Sequence, residues 1–119
     1  MVSSRVIWDK WEDIAVRYLE DKGIKILKRN FSSRNWEIDI IWEESWILIF
    51  FEVKFRTWNK FWLPEEYLTK NKKASLMRAI LFYCHKNWVN IENCRMDFLA
   101  IIQNKEGLNI KHYKNIALD

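Results

Sequence analysis

Apolar residues near the start of the chain recur at a helical spacing. They fall at positions i, i+3, i+4, i+7 and i+8 of one helix face, and they are Trp11, Ile14, Ala15, Tyr18 and Leu19. Gly23 follows directly after Lys22 and is a typical C-terminal stop. The pattern therefore predicts a first helix over residues 9–22.

Shorter apolar runs follow and predict a sheet. Residues 47–55 form an almost continuous apolar run, which is typical of a strand covered on both faces and therefore central in its sheet. A second helical stripe runs through 70–86 and consists of Leu76, Ile80 and Tyr83, with Ala79 and Cys84 beside it. Further strands are predicted at 24–29, 37–41, 95–102 and, at an edge, 108–113, with loops or turns at 31–35, 42–46, 56–68 and 103–107. The order α-β-β-β-α-β-(β) predicts an α/β fold with a mixed sheet of four to five strands flanked by helices.

Charged residues interrupt the most apolar strand. Glu52 and Lys54 point to one face of it, and Glu37 and Asp39 share a face of the preceding strand. If these strands form a hairpin with Trp42 opposite Ile47, Glu37 lies opposite Glu52 and Asp39 lies diagonal to Glu52, at about 7–8 Å. Carboxylates at that range can share a hard divalent cation, and a neighbouring ammonium can position a water or steady a phosphate. The pattern indicates metal-dependent phosphodiester hydrolysis, with a sheet-edge ion pair of Lys54 as the alternative.

Length and charge limit the choice of function. A chain of 119 residues is one domain's worth, here taken as 1–119, and its formal net charge is +4. No acid lies between Tyr67 and Ile91, a stretch that carries Lys70, Lys72, Lys73, Arg78 and Lys86. Such a basic segment suits a nucleic acid, or it is a solvated helix face.

Cysteines, histidines and apolar stretches add little chemistry. Cys84 and Cys94 form neither a disulfide framework nor a zinc motif, so we expect free buried thiols. His85 and His112 lie in different predicted elements, and we interpret both as surface or packing residues. No charged segment leads into an apolar core and no apolar stretch approaches membrane length, so a cytoplasmic location is expected.

Six short blocks in this chain add a resemblance. Asp39 and the Glu52-Val53-Lys54 triplet have the spacing D-x12-E-V-K, which resembles the PD-(D/E)xK signature of the restriction-endonuclease-like superfamily. Together with five further blocks, the triplet also resembles the YraN-like family of small uncharacterised bacterial proteins, over roughly residues 7–102. The blocks are Trp11-Glu-Asp-Ile-Ala15, Arg29-Asn-Phe31, Glu37-Ile-Asp-Ile-Ile41, Phe51-Glu-Val-Lys54, Phe61-Trp-Leu-Pro-Glu-Glu66 and Arg95-Met-Asp-Phe98.

The resemblance implies a restriction-endonuclease-like fold similar to archaeal Holliday-junction resolvases, and it implies roles for particular residues. Asp39, Glu52 and Lys54 would form the catalytic site with Glu12, which would approach from the first helix. Asp39 and Glu52 would bind Mg²⁺ or Mn²⁺, with Glu12 as a further ligand or water orienter; an ordinary first-turn acid is the alternative for Glu12. Glu37 would be a companion acid behind the ligands. Lys72 matches a basic position of the family, and the other candidates for phosphate contact are Arg56, Lys70, Lys73 and Arg78.

Three functions remain open at this stage. The first is a metal-dependent nuclease acting on DNA, with branched DNA suggested by the resolvase analogy, which also allows a homodimer. The second is a nucleic-acid-binding module of the same fold without turnover. The third is a structural adaptor, which predicts no metal binding. For Asp97, which also matches the family, a structural role is open, and Glu65 and Glu66 fit a cap or loop ion pair better than catalysis.

The tryptophan content departs from the resemblance. The family has glycine at the positions of Trp8, Trp11, Trp36, Trp62 and Trp88, and the remaining tryptophans, Trp42, Trp46 and Trp58, lie in or beside predicted turns. Reading all eight tryptophans as glycine would bring the two glycines up to about the usual share of 7%. This favours the hypothesis that UGA codons, which some bacterial lineages read as glycine, are rendered as tryptophan here. A real tryptophan-rich variant and a designed sequence are the alternatives.

Overall fold

The computed structural model describes residues 4–33, 36–57 and 64–118, with side chains from Lys10 onward except at 32, 33, 36 and 64. Trp58 and Trp62 lie outside the described residues, as do the side chains of Trp8 and Trp36. Three helices are described: α1 (Ser4–Asp21), α2 (Pro64–Tyr67) and α3 (Lys70–Asn87). The strands are β1 (Lys25–Ser33), β2 (Trp36–Glu44), β3 (Ile47–Arg56), β4 (Cys94–Asn104) and β5 (Gly107–Tyr113), and a single 3₁₀ turn covers Ile91–Asn93.

The strands form one mixed sheet in the order β1-β2-β3-β4-β5. β3 pairs with β4 in parallel, because α3 makes the crossover between them, and the other neighbours are antiparallel. The sequence-based prediction of an α/β fold with a mixed sheet and flanking helices is therefore confirmed, as is the central position of β3.

Apolar residues of β3 pack on both faces of the sheet. On one face Phe51 and Val53 pack in a cluster with Ala15 and Leu19 of α1. On the other face Phe50 packs in a cluster that includes the buried α3 residues Leu76, Ala79, Ile80 and Cys84. Phe50 and Phe51 are both 0% exposed, and burying such a side chain contributes about 1.5–3 kcal/mol. The two covered faces explain why this strand lacks the alternation of a half-exposed one.

The predicted C-terminal end of α1 and both predicted ends of α3 lie within one residue of the observed ones, whereas α1 begins at Ser4, before its predicted start at residue 9. Gly23, at φ +84°, follows α1 in the left-handed region, and its N–H donates to the Glu20 carbonyl at 2.9 Å. α3 begins after Thr69, whose hydroxyl accepts from the Lys72 N–H at 3.1 Å. The four-residue α2 lies inside the segment predicted as loop.

The hairpin between β2 and β3 differs from the prediction. The turn is Ser45–Trp46 rather than 42–46, because both residues adopt positive φ values, +49° and +70°, as in a two-residue hairpin turn. Trp42 therefore pairs with Ile49 and not with Ile47. The predicted loop at 31–35 is also wrong in its first part, since β1 continues through Ser33 and pairs with β2 there.

The described tryptophan side chains fall into two groups. Trp46 (φ +70°) and Trp88 (φ +59°) have left-handed backbone and are 87% and 96% exposed. A left-handed backbone costs an L-residue with a Cβ roughly 1–2 kcal/mol, and glycine avoids this cost. Trp11 and Trp42 are instead buried within α1 and β2. Positions 46 and 88 are therefore those where the backbone itself favours glycine.

The two cysteines form a thiol–thiol hydrogen bond and no disulfide. Cys84 Sγ at the end of α3 lies 3.3 Å from Cys94 Sγ at the start of β4, and both thiols are free. Cys84 is buried as predicted, whereas Cys94 is half-buried. Desolvation and the neighbouring Cys84 sulfur raise the pKa of the Cys94 thiol to about 12. Among the described helices, none is long and apolar enough to cross a membrane.

Candidate active site

Asp39 and Glu52 lie beside each other on neighbouring strands. The last pair of the β2–β3 ladder is Ile40 with Phe51, and Asp39 and Glu52 are the next residues beyond it on the two strands. The predicted register instead placed Phe50 opposite Asp39. The carboxylate of Asp39 accepts a hydrogen bond from the Val53 backbone N–H at 2.8 Å. Both acids are 5% exposed, so the site holds two buried carboxylates at the end of the β2–β3 ladder.

These two acids are short of positive charge. Burial raises the pKa of Asp39 well above its usual range, and the charge of Glu52 raises it further. Burial also raises the pKa of Glu52 to about 6, although Lys72 and Lys54 oppose that shift. A carboxylic acid whose pKa is raised in this way has an ionised form that the folded protein stabilises less well than water does. A bound cation would reverse that deficit.

Lys54 lies next to the acidic pair and against an aromatic ring. Its Nζ is 4.3 Å from the centroid of the Tyr67 ring, and Tyr67 packs at 5.7 Å on Phe98. Partial burial lowers the pKa of Lys54, and the charge of Arg56 lowers it further. Tyr67 is a site residue that the sequence reasoning missed. It ends α2, inside the segment predicted as loop, where no periodicity could assign it to a face.

Lys72 contributes a second ammonium from α3. Its Nζ lies 3.6 Å from Glu52 Oε1 and 5.9 Å from the Tyr67 ring centroid. At about 100° per residue, the side chains of Lys70, Lys73 and Arg78 leave α3 roughly 100–160° away from that of Lys72. The structure therefore brings Lys72 to Glu52, and Arg56 lies close enough to Lys54 for its charge to lower the pKa of that lysine. The other three predicted phosphate contacts face other directions. Lys70 and Lys73 line a shallow depression with Leu118.

Glu12 approaches the site from α1. Its side chain is 0% exposed and accepts hydrogen bonds from Arg29 Nε at 2.9 Å and Asn30 Nδ2 at 3.0 Å. Desolvation raises the pKa of Glu12. The alternative of a first-turn acid is wrong, because α1 begins at Ser4 and Glu12 lies in its third turn. The charge of Glu12 raises the pKa of Asp39 slightly, so the two carboxylates lie within electrostatic reach of each other.

Glu37 lies on the exposed side of this group. It precedes Asp39 on β2 and is exposed. Its charge raises the pKa of Glu12, Asp39 and Glu52. Glu37 therefore adds negative charge to all three acids, as expected for a companion acid rather than for a buried ligand.

The donor set fits a hard divalent cation at the Asp39–Glu52 pair. Within the described residues, Glu52 Oε2 and Glu12 Oε2 are buried without a hydrogen-bond partner. Carboxylate oxygens are the ligands that Mg²⁺ prefers, and an unpaired buried oxygen is costly without one. No group of three or more histidine, cysteine or acidic side chains in the described part of the chain is arranged to hold a metal ion. The fit therefore rests on two adjoining carboxylates, with Glu12 held by Arg29 and Asn30.

Asp97 is a buried acid of another kind. It is 0% exposed and accepts from Arg95 through both carboxylate oxygens, at 2.9 Å each. His112 Nε2 lies 2.7 Å from Oδ2, and the Asn115 N–H donates to Oδ1 at 2.9 Å. These contacts lower the pKa of Asp97 although burial opposes them. Asp97 therefore ties β4 to β5 and to the C-terminal segment, a partnership of His112 that its sequence position did not indicate.

The fold and the site define an α/β protein whose mixed sheet carries two buried carboxylates on neighbouring strands and a nearby lysine. Comparison with known proteins assigns the chain to a family: the model of an uncharacterised protein family, UPF0102, matches residues 11–101. The chain belongs to this family, which confirms the resemblance to YraN-like proteins.

Relatives in the family cover nearly the whole chain. A UPF0102 protein of Carboxydothermus hydrogenoformans is 40% identical over 115 residues, covering 97% of this chain and 98% of the relative. One of Persephonella marina is 36% identical over 104 residues, covering 87% and 86%. One of Lawsonia intracellularis is 34% identical over 112 residues, covering 92% and 83%.

Proposed function

We propose that this protein is a divalent-metal-dependent nuclease that hydrolyses phosphodiester bonds of DNA, with branched or otherwise structured DNA as the candidate substrate. The observation that carries the proposal is the buried pair of Asp39 and Glu52, whose pKa values are raised and which lies beside the ammonium of Lys54. An uncompensated acidic pair is costly in a purely structural sheet, and it is useful where a cation must bind.

Each site residue has a distinct part in this proposal. Asp39 and Glu52 hold Mg²⁺ or Mn²⁺, and Glu12 adds a ligand or orients a water. When bound, the metal supplies a more acidic water and neutralises charge on the phosphate. Lys54 steadies the phosphate or accepts the proton of the attacking water, and partial burial lowers its pKa in the direction that the second role requires. The ring of Tyr67 holds that ammonium in place.

The basic residues supply the contacts to the DNA backbone. Lys72 lies at Glu52 and Arg56 lies near Lys54. The remaining candidates are Lys70, Lys73 and Arg78, on other sides of α3. Each phosphate contact releases condensed counterions, so the affinity for DNA falls steeply with salt. Action in the cytoplasm and assembly as a homodimer are parts of the proposal that rest on the sequence.

A cleavage assay tests the proposal directly. The protein is incubated with Mg²⁺ or Mn²⁺ and with linear, flapped, single-stranded and four-way DNA, beside the variants Asp39→Asn, Glu52→Gln and Lys54→Met. We expect cleavage that EDTA abolishes and that each substitution slows by at least about 100-fold. Lys86→Met, which removes an exposed charge from the far end of α3, is the matched control and should cleave at the original rate.

The second candidate is a nucleic-acid-binding module without turnover. One observation favours it: the described residues present two adjoining carboxylates rather than three poised ligands. Salt-sensitive DNA binding without cleavage by any variant would select this candidate. Cleavage at equal rates in the original protein and in Asp39→Asn would contradict the proposed site.

A further inference from the structure

We infer that Lys72 is a built-in counterion which pairs with Glu52 until a divalent cation binds to that carboxylate, and which is then released toward the phosphate of the substrate. The inference rests on the proposed function, since it describes how metal and substrate binding are coupled at that site. It assigns to Lys72 two successive partners, an acid and then a phosphate.

The contacts of the two lysines at the site differ. Lys72 Nζ is 3.6 Å from Glu52 Oε1, whereas Lys54 Nζ lies over the Tyr67 ring. Glu52 Oε2 has no hydrogen-bond partner among the described residues. One oxygen of Glu52 therefore faces the Lys72 ammonium and the other is unpaired. This is the arrangement expected of a metal ligand whose metal is replaced in part by the ammonium of a side chain.

A divalent cation and the Lys72 ammonium cannot share this edge without repulsion. Carboxylate–metal distances are about 2.0–2.6 Å, so a metal on Glu52 would lie within a few ångströms of Nζ, where like charges repel. The ammonium is at the end of a flexible stem and the side chain is 35% exposed, so it can move outward at little cost. Tyr67, at 5.9 Å, offers a ring face beside its path.

Metal titration by calorimetry tests this coupling without a cleavage assay. Mn²⁺ is titrated into the full-length protein and into Lys72→Met, at about pH 8, where a carboxyl with a pKa of about 6 is ionised. We expect Lys72→Met to bind Mn²⁺ about fivefold more tightly, the change that corresponds to one partly exposed ion pair. Lys72→Arg keeps a cation and should bind Mn²⁺ as the original protein does.

Controls separate local competition from net charge. Lys86→Met removes the same charge from the same helix, 14 residues away, and should leave the Mn²⁺ affinity unchanged, while Asp39→Asn should weaken it. Equal or weaker Mn²⁺ binding by Lys72→Met overturns the inference. Should that variant fail to fold, NMR of the lysine ε-methylenes in the original protein decides: a Lys72 resonance that does not move on Mg²⁺ saturation overturns it.

The outcome for the nuclease proposal is read separately. Tighter Mn²⁺ binding by Lys72→Met together with no DNA cleavage by the original protein supports the counterion and contradicts the nuclease. DNA cleavage by the original protein, together with an unchanged Mn²⁺ affinity in Lys72→Met, supports the nuclease and contradicts the counterion. An absence of Mn²⁺ binding in every variant overturns the counterion, whatever the cleavage assay gives.

Discussion

Two groups of buried carboxylates lie on one sheet and have opposite electrostatics. Asp97 on β4 is surrounded by Arg95, His112 and the Asn115 N–H, and its pKa is lowered. Asp39 and Glu52 have fewer compensating partners, and their pKa values are raised. Burial is similar in the two groups, at 0% against 5% exposed. The difference lies in the number of donors that face each acid.

This contrast separates a structural acid from a candidate functional one. A buried charge is stable when hydrogen bonds and an opposite charge replace its water. Asp97 meets that condition within the chain, whereas Asp39 and Glu52 meet it only in part. The resemblance to the family includes all three acids and implies catalytic roles for Asp39 and Glu52, and the structure adds the electrostatic difference between them and Asp97.

The largest expected effect comes from removing the charge at Asp97. Asp97→Asn places an amide NH₂ among groups that all donate, and it leaves Arg95 without its partner. We expect the free energy of unfolding to fall by about 3–5 kcal/mol, measured by urea denaturation at neutral pH.

Asp39→Asn is the matched comparison. Its side-chain carbonyl can still accept from Val53, and the repulsion with Glu52 disappears. We expect the metal-free protein to keep its stability or gain up to about 1 kcal/mol. Similar losses of unfolding free energy in Asp97→Asn and Asp39→Asn would mean that both acids stabilise the fold to the same extent.

A smaller effect concerns pH. The pKa of Glu52 is raised from 4.5 to about 6 in the folded protein, so between these values the folded state binds more protons than the unfolded state. Stability should therefore rise as pH falls from about 7 to 4.5, by about 2 kcal/mol from Glu52. Asp97 has a lowered pKa, so its contribution is present above the unfolded pKa of 3.8 and is lost as pH falls below it.

Urea midpoints across this range, in EDTA, check both directions. Glu52→Gln should remove much of the rise between about pH 7 and 4.5 and leave the loss at lower pH. Asp39 also has a raised pKa, so the double variant with Asp39→Asn should flatten the rise further. If the stability of the double variant still rose by the same amount between about pH 7 and 4.5, the groups responsible would lie outside the acidic pair.

The smallest expected effect on stability concerns the end of α3, away from the acidic pair and Asp97. Trp88 ends α3 with left-handed backbone and an exposed side chain. Trp88→Gly should raise the free energy of unfolding by about 1 kcal/mol, and thermal denaturation would measure it. Trp88→Ala removes the indole but keeps the Cβ, so a gain of the same size there would exclude backbone strain as the cause.

Most residues of the candidate site could be predicted because they are charged residues within or beside apolar strand segments. Glu52 and Lys54 stand out because they interrupt an apolar strand, and Asp39 stands out by its spacing from them. The partners were not predictable in the same way. The Lys72–Glu52 ion pair depends on how α3 crosses the sheet, and Tyr67 lies in a short helix within a predicted loop. The register of Asp39 against Glu52 depended on a two-residue turn at Ser45–Trp46, whose positive φ values are common for glycine and rare for tryptophan.

The sequence by itself determined the order of the elements, the central place of β3 and the acids that interrupt its neighbourhood, because periodicity and burial are local properties of a chain. Tertiary structure alone decided which acids are compensated. Asp97 acquires His112 and Asn115 from 15 and 18 residues further along the chain, whereas Glu52 receives a single ammonium from α3. The electrostatic state of a buried carboxylate depends on donors that folding brings together from distant positions.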